Sequence, residues 1–317
     1  MEMRPLGRSG LAVPPVIFGG NVFGWTADRA ASFRLLDECV AAGLTAIDTA
    51  DVYSAWVPGH RGGESESIIG EWLAARPGVR SRVLILTKCG SEMPGRGKGL
   101  SAGWIARAAE DSLRRLGIET IDLYQAHRDD ESVPVEEALG AFGRLIEQGK
   151  VRAIGASNFT APRLRAALAA GGRGGLPRFE TLQPLYNLME RGIEAELLPL
   201  CREQEVGVIP YSALASGFLS GKYRGPADLS KSPRGERSVA KYLNERGMRV
   251  LAALDAVAAR YGATPAQVAL AWQIARPGIT APIASATSVE QFGELVKAAG
   301  LRLDGAAMAE LDAASGA

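Results

Sequence analysis

Cysteine and histidine are scarce in this chain. Cys39, Cys89 and Cys201 are odd in number and scattered, and only two histidines accompany them. That excludes a disulfide framework, gives no metal cluster, and points to a reducing cytoplasm. No uninterrupted apolar run reaches about 18 residues, and the opening M-E-M-R-P-L-G-R lacks the apolar core of a secretory signal. A soluble intracellular protein with no membrane partner is expected. Charge of one sign is also lacking: 36 basic residues face 35 acidic ones, so there is no broad field for nucleic acid or an anionic surface, although local cations could hold a small anion. Finally, no G-x-G-x-x-G follows an early strand, which disfavours an open dinucleotide-binding sheet.

What is present is ordinary globular material in quantity. A chain of 317 residues, 47% hydrophobic, can bury a sizeable core, and α/β barrels of this length form one domain, so residues 1–317 read as a single unit. Residues 3–14 alternate weakly around Gly7 and Ser9-Gly10, as in a two-stranded hairpin. Beyond it, short apolar strands alternate with helical stripes. Strands are expected at 16–20, up to Asp48, 83–88, 121–127, 151–155, 181–184, 206–210 and 279–284. Helices are expected near 28–43, 65–75, 101–117, 134–149, 161–170, 194–205, 248–261, 265–275 and 289–300, with Asp28 and Ser101 as N-caps and a long insertion over 216–241. Strand-helix alternation argues for parallel βαβ units, and eight of them argue for an α/β fold closed as an eight-stranded parallel barrel.

Three of the strands end in a lone ionisable group. A-I-D-T-A-D-V-Y carries Asp48 at the strand end and Tyr53 on the loop beyond; V-L-I-L-T-K ends at Lys88; I-D-L-Y-Q-A-H ends at His127. Taken singly, each has a bland reading as a cap, a half-buried aromatic, a solvated lysine or a rim histidine. If the strands are parallel neighbours, all four gather at one mouth, on loops where barrels place their chemistry.

Asp, Tyr, Lys and His in this order, with D-x-x-x-x-Y spacing, resemble the aldo-keto reductases. The resemblance runs nearly end to end, through M-R-P-L-G-R-S-G-L at residues 3–11, G-A-S-N-F at 155–159, Q-P-L-Y-N at 183–187, Y-S-A-L at 211–214 and S-A-T-S-V-E-Q at 285–291. Y-S-A-L-A-S-G-F-L-S-G-K-Y closely resembles members related to the β subunits of voltage-gated potassium channels. The resemblance implies a (β/α) TIM barrel whose bottom is plugged by the N-terminal hairpin. It implies reduction of an aldehyde or ketone to an alcohol by NADPH, with NADH as the alternative nicotinamide.

In that reading Tyr53 is the general acid, its pKa lowered by the Lys88 ammonium; Asp48 pairs with Lys88; and neutral His127 polarises the carbonyl. Ser157, Asn158 and Gln183 match the residues that hold the nicotinamide carboxamide, and Tyr211 the aromatic stacked on its ring. Ser212, Leu214, Gly217 and Lys222 match the loop over the pyrophosphate, with Arg237 as a further cation. Ser285, Thr287, Gln291 and Glu294 match the adenosine end, beside the start of the last helix. Two departures stand there: Gln291 replaces an arginine common in relatives and Leu295 an asparagine, so a weaker grip on adenosine is expected. Trp25, Trp56 and Tyr124 or Arg128 are placed to wall the pocket of a small carbonyl substrate. Two other functions fit parts of the pattern: a nicotinamide-binding regulatory subunit with vestigial catalysis, and a lyase or aldolase using Lys88 as a Schiff-base nucleophile. No oligomeric state is implied.

Overall fold

The computed structural model describes residues 1–233 and 235–316. The hairpin forms as β1 (Arg4–Pro5) and β2 (Ala12–Val13), paired antiparallel. The parallel strands follow: β3 (Ile17–Gly19), β4 (Ala46–Asp48), β5 (Leu84–Cys89), β6 (Ile121–Ala126), β7 (Val151–Ser157), β8 (Thr181–Gln183), β9 (Gly207–Val208) and β10 (Ile283–Ala284), in the order β10-β3-β4-β5-β6-β7-β8-β9. The two ends of that row meet. The Thr280 N–H donates to the Val208 carbonyl at 2.8 Å and the Ile283 N–H to the Pro210 carbonyl at 2.8 Å, so the sheet closes into an eight-stranded (β/α) barrel.

Helices pack outside it: α1 (Arg29–Ala42), α2 (Glu64–Ala74), α3 (Ala102–Leu116), α4 (Val135–Glu147), α5 (Ala161–Ala170), α6 (Leu197–Glu203), α7 (Glu245–Tyr261), α8 (Pro265–Ala275), α9 (Val289–Gly300) and α10 (Gly305–Ser315). Their starts obey local chemistry. Asp28 accepts from the Ala31 N–H and Ser101 from the Trp104 N–H, each satisfying an orphan donor of the first turn. None of the described helices is long and apolar enough to cross a membrane.

Two hydrophobic layers separate cleanly. Between sheet and helices lies the main core, including Tyr124, Phe142 and Trp72. Inside the barrel lies a small one made of Ile17, Ala46, Leu86, Leu123, Ala153, Ile209 and Ile283, closed from below by Leu6, Leu11 and Val13 of the hairpin. The strand period of two then dictates what lies above this inner layer. Two residues beyond Ala46, Leu86, Leu123, Ile209 and Ile283 come Asp48, Lys88, Gln125, Tyr211 and Ser285; four beyond Leu123 and Ala153 come His127 and Ser157.

Strand β9 is shorter than the expected 206–210, and three further details differ from the sequence expectations. The final strand is shorter than 279–284, because residues before Ile283 bond to Val208 as a barrel seam rather than as a ladder. The insertion is a chain of short turns at Ala215–Ser220, Pro226–Lys231, Gly235–Val239 and Ala240–Tyr242. Helix α10 was not anticipated: it docks through Asp312, which accepts the Trp272 indole N–H at 3.0 Å and pairs with Arg276 at 2.8 Å.

Candidate active site

Asp48 from β4, Lys88 from β5, His127 just past β6 and Tyr53 from the loop after β4 converge at the upper end of the barrel. Lys88 Nζ lies 2.6 Å from Asp48 Oδ2, 2.7 Å from the Thr49 carbonyl and 3.3 Å from Tyr53 Oη. Both charges are buried, Lys88 wholly. Two amides complete the shell of the carboxylate: Gln183 Nε2 donates to Asp48 Oδ1 at 2.8 Å and Gln125 Nε2 at 3.4 Å, while Gln183 also donates to Gln125 Oε1 at 3.1 Å. Three strands thus supply donors to one carboxylate, which offsets the desolvation of a charge held inside protein.

Electrostatics sort the three other groups. Burial pulls the Lys88 ammonium down, but Asp48 and Tyr53 outweigh it and hold its pKa above the ordinary lysine value. The sequence expectation for Tyr53 was a lowered pKa; here burial dominates, and although Lys88 pulls down, Asp48 pushes up and the net shift is upward. The phenol is therefore protonated at neutral pH. His127 is driven well below the ordinary histidine range by burial, then by the Lys88 and Arg128 charges. It is a neutral imidazole, its ring 5.8 Å from that of Tyr53 and its Nδ1 without a partner among the described residues.

A cleft of about 970 Å³ runs from Asp48 and Tyr53 across the top of β10 and β3 to Gln291, Glu294 and Leu295 at the start of α9. Tyr211, Ser212, Leu214, Gly217, Lys222, Ser285 and Thr287 all line it. Lys88, His127, Ser157, Asn158 and Gln183 do not line it directly, but they connect to its inner end by bonds. Tyr211 Oη donates to Asn158 Oδ1 at 2.8 Å, Asn158 Nδ2 to the His127 carbonyl at 3.0 Å, and Ser157 Oγ to the Gln183 carbonyl at 2.8 Å. The backbone here is strained in a cluster: Asn158, Ser212, Ala215 and Ser216 hold φ between 48° and 59° without being glycine, a conformation that persists only where surroundings enforce it. At the far end the acceptors are occupied, Glu294 by the Thr264 hydroxyl at 2.5 Å and the Gln267 amide at 2.9 Å, and Gln291 Oε1 by the Thr287 N–H at 3.0 Å.

Some sequence-chosen residues lie elsewhere. Arg237 is exposed on the Gly235–Val239 turn and does not line the cleft; Lys231 does, beside Lys222. Tyr124 faces outward and packs edge-on against Phe142 at 5.7 Å, because it is out of phase with the inward-facing Leu123 and Gln125. Trp25 and Trp56 stack edge-on at 5.6 Å, and Trp56 meets Tyr53 at 5.5 Å, forming an aromatic wall beside the phenol. Sequence reading passed over Gln125, although its place two residues before His127 on the same strand carried the signal.

Comparison with known proteins agrees with this geometry. Residues 15–315 match the model of the aldo/keto reductase family. A protein of Bacillus subtilis (strain 168) named uncharacterized oxidoreductase YrpG is 37% identical over 311 residues, covering 96% of this chain and 93% of its own. The aldo-keto reductase AFTS1 of Alternaria alternata is 33% identical, covering 95% and 88%. A probable voltage-gated potassium channel subunit beta of Oryza sativa subsp. japonica is 34% identical, covering 94% and 91%. With a family match across nearly the whole chain and a closed barrel that carries Asp48, Tyr53, Lys88 and His127 at one end, this chain belongs to the aldo/keto reductase family.

Proposed function

We propose that the chain is an oxidoreductase that reduces an aldehyde or ketone to an alcohol with NADPH in preference to NADH, Tyr53 being the general acid. The observation that carries this reading is the hydrogen-bonded line Asp48–Lys88–Tyr53, at 2.6 and 3.3 Å, opening into a cleft large enough for a dinucleotide.

The residues fit a nicotinamide dinucleotide. Ser157, Asn158 and Gln183 would hold its carboxamide, Tyr211 would face the ring, and Ser212, Leu214, Gly217 and Lys222 would receive the pyrophosphate. Lys222 and Lys231 set two cations along that stretch of the cleft. A Cβ on Gly217 would approach Lys222 Cε to 3.2 Å, so the bare backbone keeps room for ammonium and phosphate together. Ser285, Thr287, Gln291 and Glu294 would take the adenosine end. Reduced nicotinamide, when bound, supplies the hydride that the carbonyl carbon gains.

Everything else falls to the protein. His127, neutral, donates a hydrogen bond to the carbonyl oxygen and draws charge toward it. Tyr53 Oη transfers its proton to that oxygen; the phenolate left behind is stabilised by Lys88, which Asp48 holds in place, and water returns the proton. Trp25 and Trp56 wall the substrate side and favour an apolar carbonyl compound.

The test follows NADPH oxidation against a panel of aldehydes and ketones. Wild type turns over, and Tyr53→Phe loses about 10²–10⁴ in kcat, the range for removing a general acid, with nucleotide binding retained. An unchanged rate in Tyr53→Phe would refute the assignment. The likeness to a potassium channel β subunit supports one competing reading, a nicotinamide-binding regulatory subunit; tight NADPH binding by wild type with no turnover of any carbonyl would favour it.

A further inference from the structure

A second cavity, of about 330 Å³, is built by the loop after β4, the loop after β5 and helix α3, and shares no lining residue with the main cleft. Its volume lies at the lower end of the range for small-molecule sites, about 300–1,000 Å³. Trp104, Arg107, Ala108, Asp111 and Arg115 reach it from one face of α3, spaced three and four residues apart as neighbours on a helix surface must be.

The inner wall of this cavity is buried. Asp51 is 1% exposed, and neither of its carboxyl oxygens has a hydrogen-bond partner among the described residues. The indole N–H of Trp104 is likewise buried without a partner among the described residues. Buried polar atoms of a native protein are nearly always satisfied, and two that lack partners belong to residues lining this one cavity. Burial and the nearby Glu66 carboxylate push Asp51 well above the usual carboxylate range.

The outer end is cationic. Three guanidiniums, Arg96, Arg107 and Arg115, meet a single lining carboxylate besides Asp51, that of Asp111. Arg115 is committed to Glu66 at 2.7 Å, and Asp111 is held by Arg114 at 2.7 Å, leaving Arg96 a loose contact at 3.8 Å. No carboxylate pairs with Arg107 among the described residues; its guanidinium lies over the Trp104 ring, 5.4 Å from the centroid. The walls between are apolar, supplied by Met93, Trp104 and Ala108.

From this arrangement we propose that the cavity is a binding site for a small organic acid. Arg96 and Arg107 take the carboxylate, while Trp104 and Met93 flank an apolar body. Arginine is suited to the first role because its planar fork matches a carboxylate. The site stands apart from the reductase reading and does not depend on it.

The experiment uses the full chain labelled with 5-fluorotryptophan, the Trp104 resonance being assigned by its loss in Trp104→Phe. Titration with benzoate is expected to move that resonance saturably. Arg107→Gln, at an exposed position that leaves the fold intact, should weaken the apparent affinity about tenfold, as expected for loss of one charge-assisted hydrogen bond. Inorganic phosphate, an anion without an apolar body, should bind more weakly than benzoate. A Trp104 resonance unmoved by millimolar benzoate, or an unchanged dissociation constant in Arg107→Gln, would overturn the site. Phosphate binding as tightly as benzoate would overturn its assignment to an organic acid.

Discussion

Replacing Lys88 by methionine isolates the step on which the proposed chemistry turns. Lys88 Nζ sits 3.3 Å from Tyr53 Oη. At that distance and an effective dielectric of about 20, an ammonium attracts the phenolate left by proton transfer by roughly 5 kcal/mol. At about 1.4 kcal/mol for each power of ten, this is worth between about 10³ and 10⁴ in rate. Asp48, 2.6 Å from the same nitrogen, cancels part of it, so a fall of about 10³ in kcat is expected, inside the range for general acids. KM should change little, because the ammonium does not line the cleft. The alkaline limb of the reduction should move to higher pH, since Tyr53 loses the charge that pulls its pKa down.

The same change costs stability. It strips one member of a fully buried ion pair, a loss of about 3–5 kcal/mol, and leaves Asp48 with the Gln183 and Gln125 amides alone. Rates must therefore be compared at a temperature where circular dichroism finds both proteins folded, with NADPH binding followed by fluorescence. A folded, NADPH-binding Lys88→Met within about threefold of wild-type kcat, a difference of less than 1 kcal/mol, would refute the assigned role of the ammonium.

Two further outcomes follow from individual side chains. Asp51 has a raised carboxyl pKa, so the folded state holds its proton where the unfolded chain releases it near pH 3.9; the stability this provides is complete below that pH and is lost as pH rises through the folded value. Calorimetric Tm measured against pH should fall along that limb in wild type and fall less in Asp51→Asn, and parallel curves would remove the argument. At the far end of the cleft, Gln291→Arg places a cation among Ser285, Thr287 and Glu294, and should lower KM for NADPH about tenfold relative to NADH, the usual scale of one phosphate contact; an unchanged ratio would mean that the 2′-phosphate is held elsewhere.

Much of this protein was legible in the chain. Asp48, Lys88 and His127 announce themselves because short apolar strands end in an ionisable group, and a period of two aims them at the same side as Ala46, Leu86 and Leu123. Helix starts at Asp28 and Ser101 were readable because capping is a matter of a few neighbouring atoms. Helix α10 was not, since its alanine-rich sequence carries no strong stripe and its place is set by Asp312 meeting Trp272 and Arg276, far away in the chain.

What only the folded structure decided are quantities that depend on neighbours from several elements at once. Whether Tyr53 is made more or less acidic is a contest between burial and the Lys88 charge, and burial wins. Tyr124 or Gln125 could each have faced the mouth until the register with β5 turned Gln125 inward. Lys231 reaches the cleft and Arg237 does not because the turns of the insertion, not its composition, set their directions. The Asp51 carboxyl is the extreme case: three residues past Asp48 it reads as one more polar loop position, and only the packing of α3 and two loops around it encloses it without a partner among the described residues. Sequence carries local periodicity and capping chemistry directly; solvation and charge balance exist only once distant segments have met.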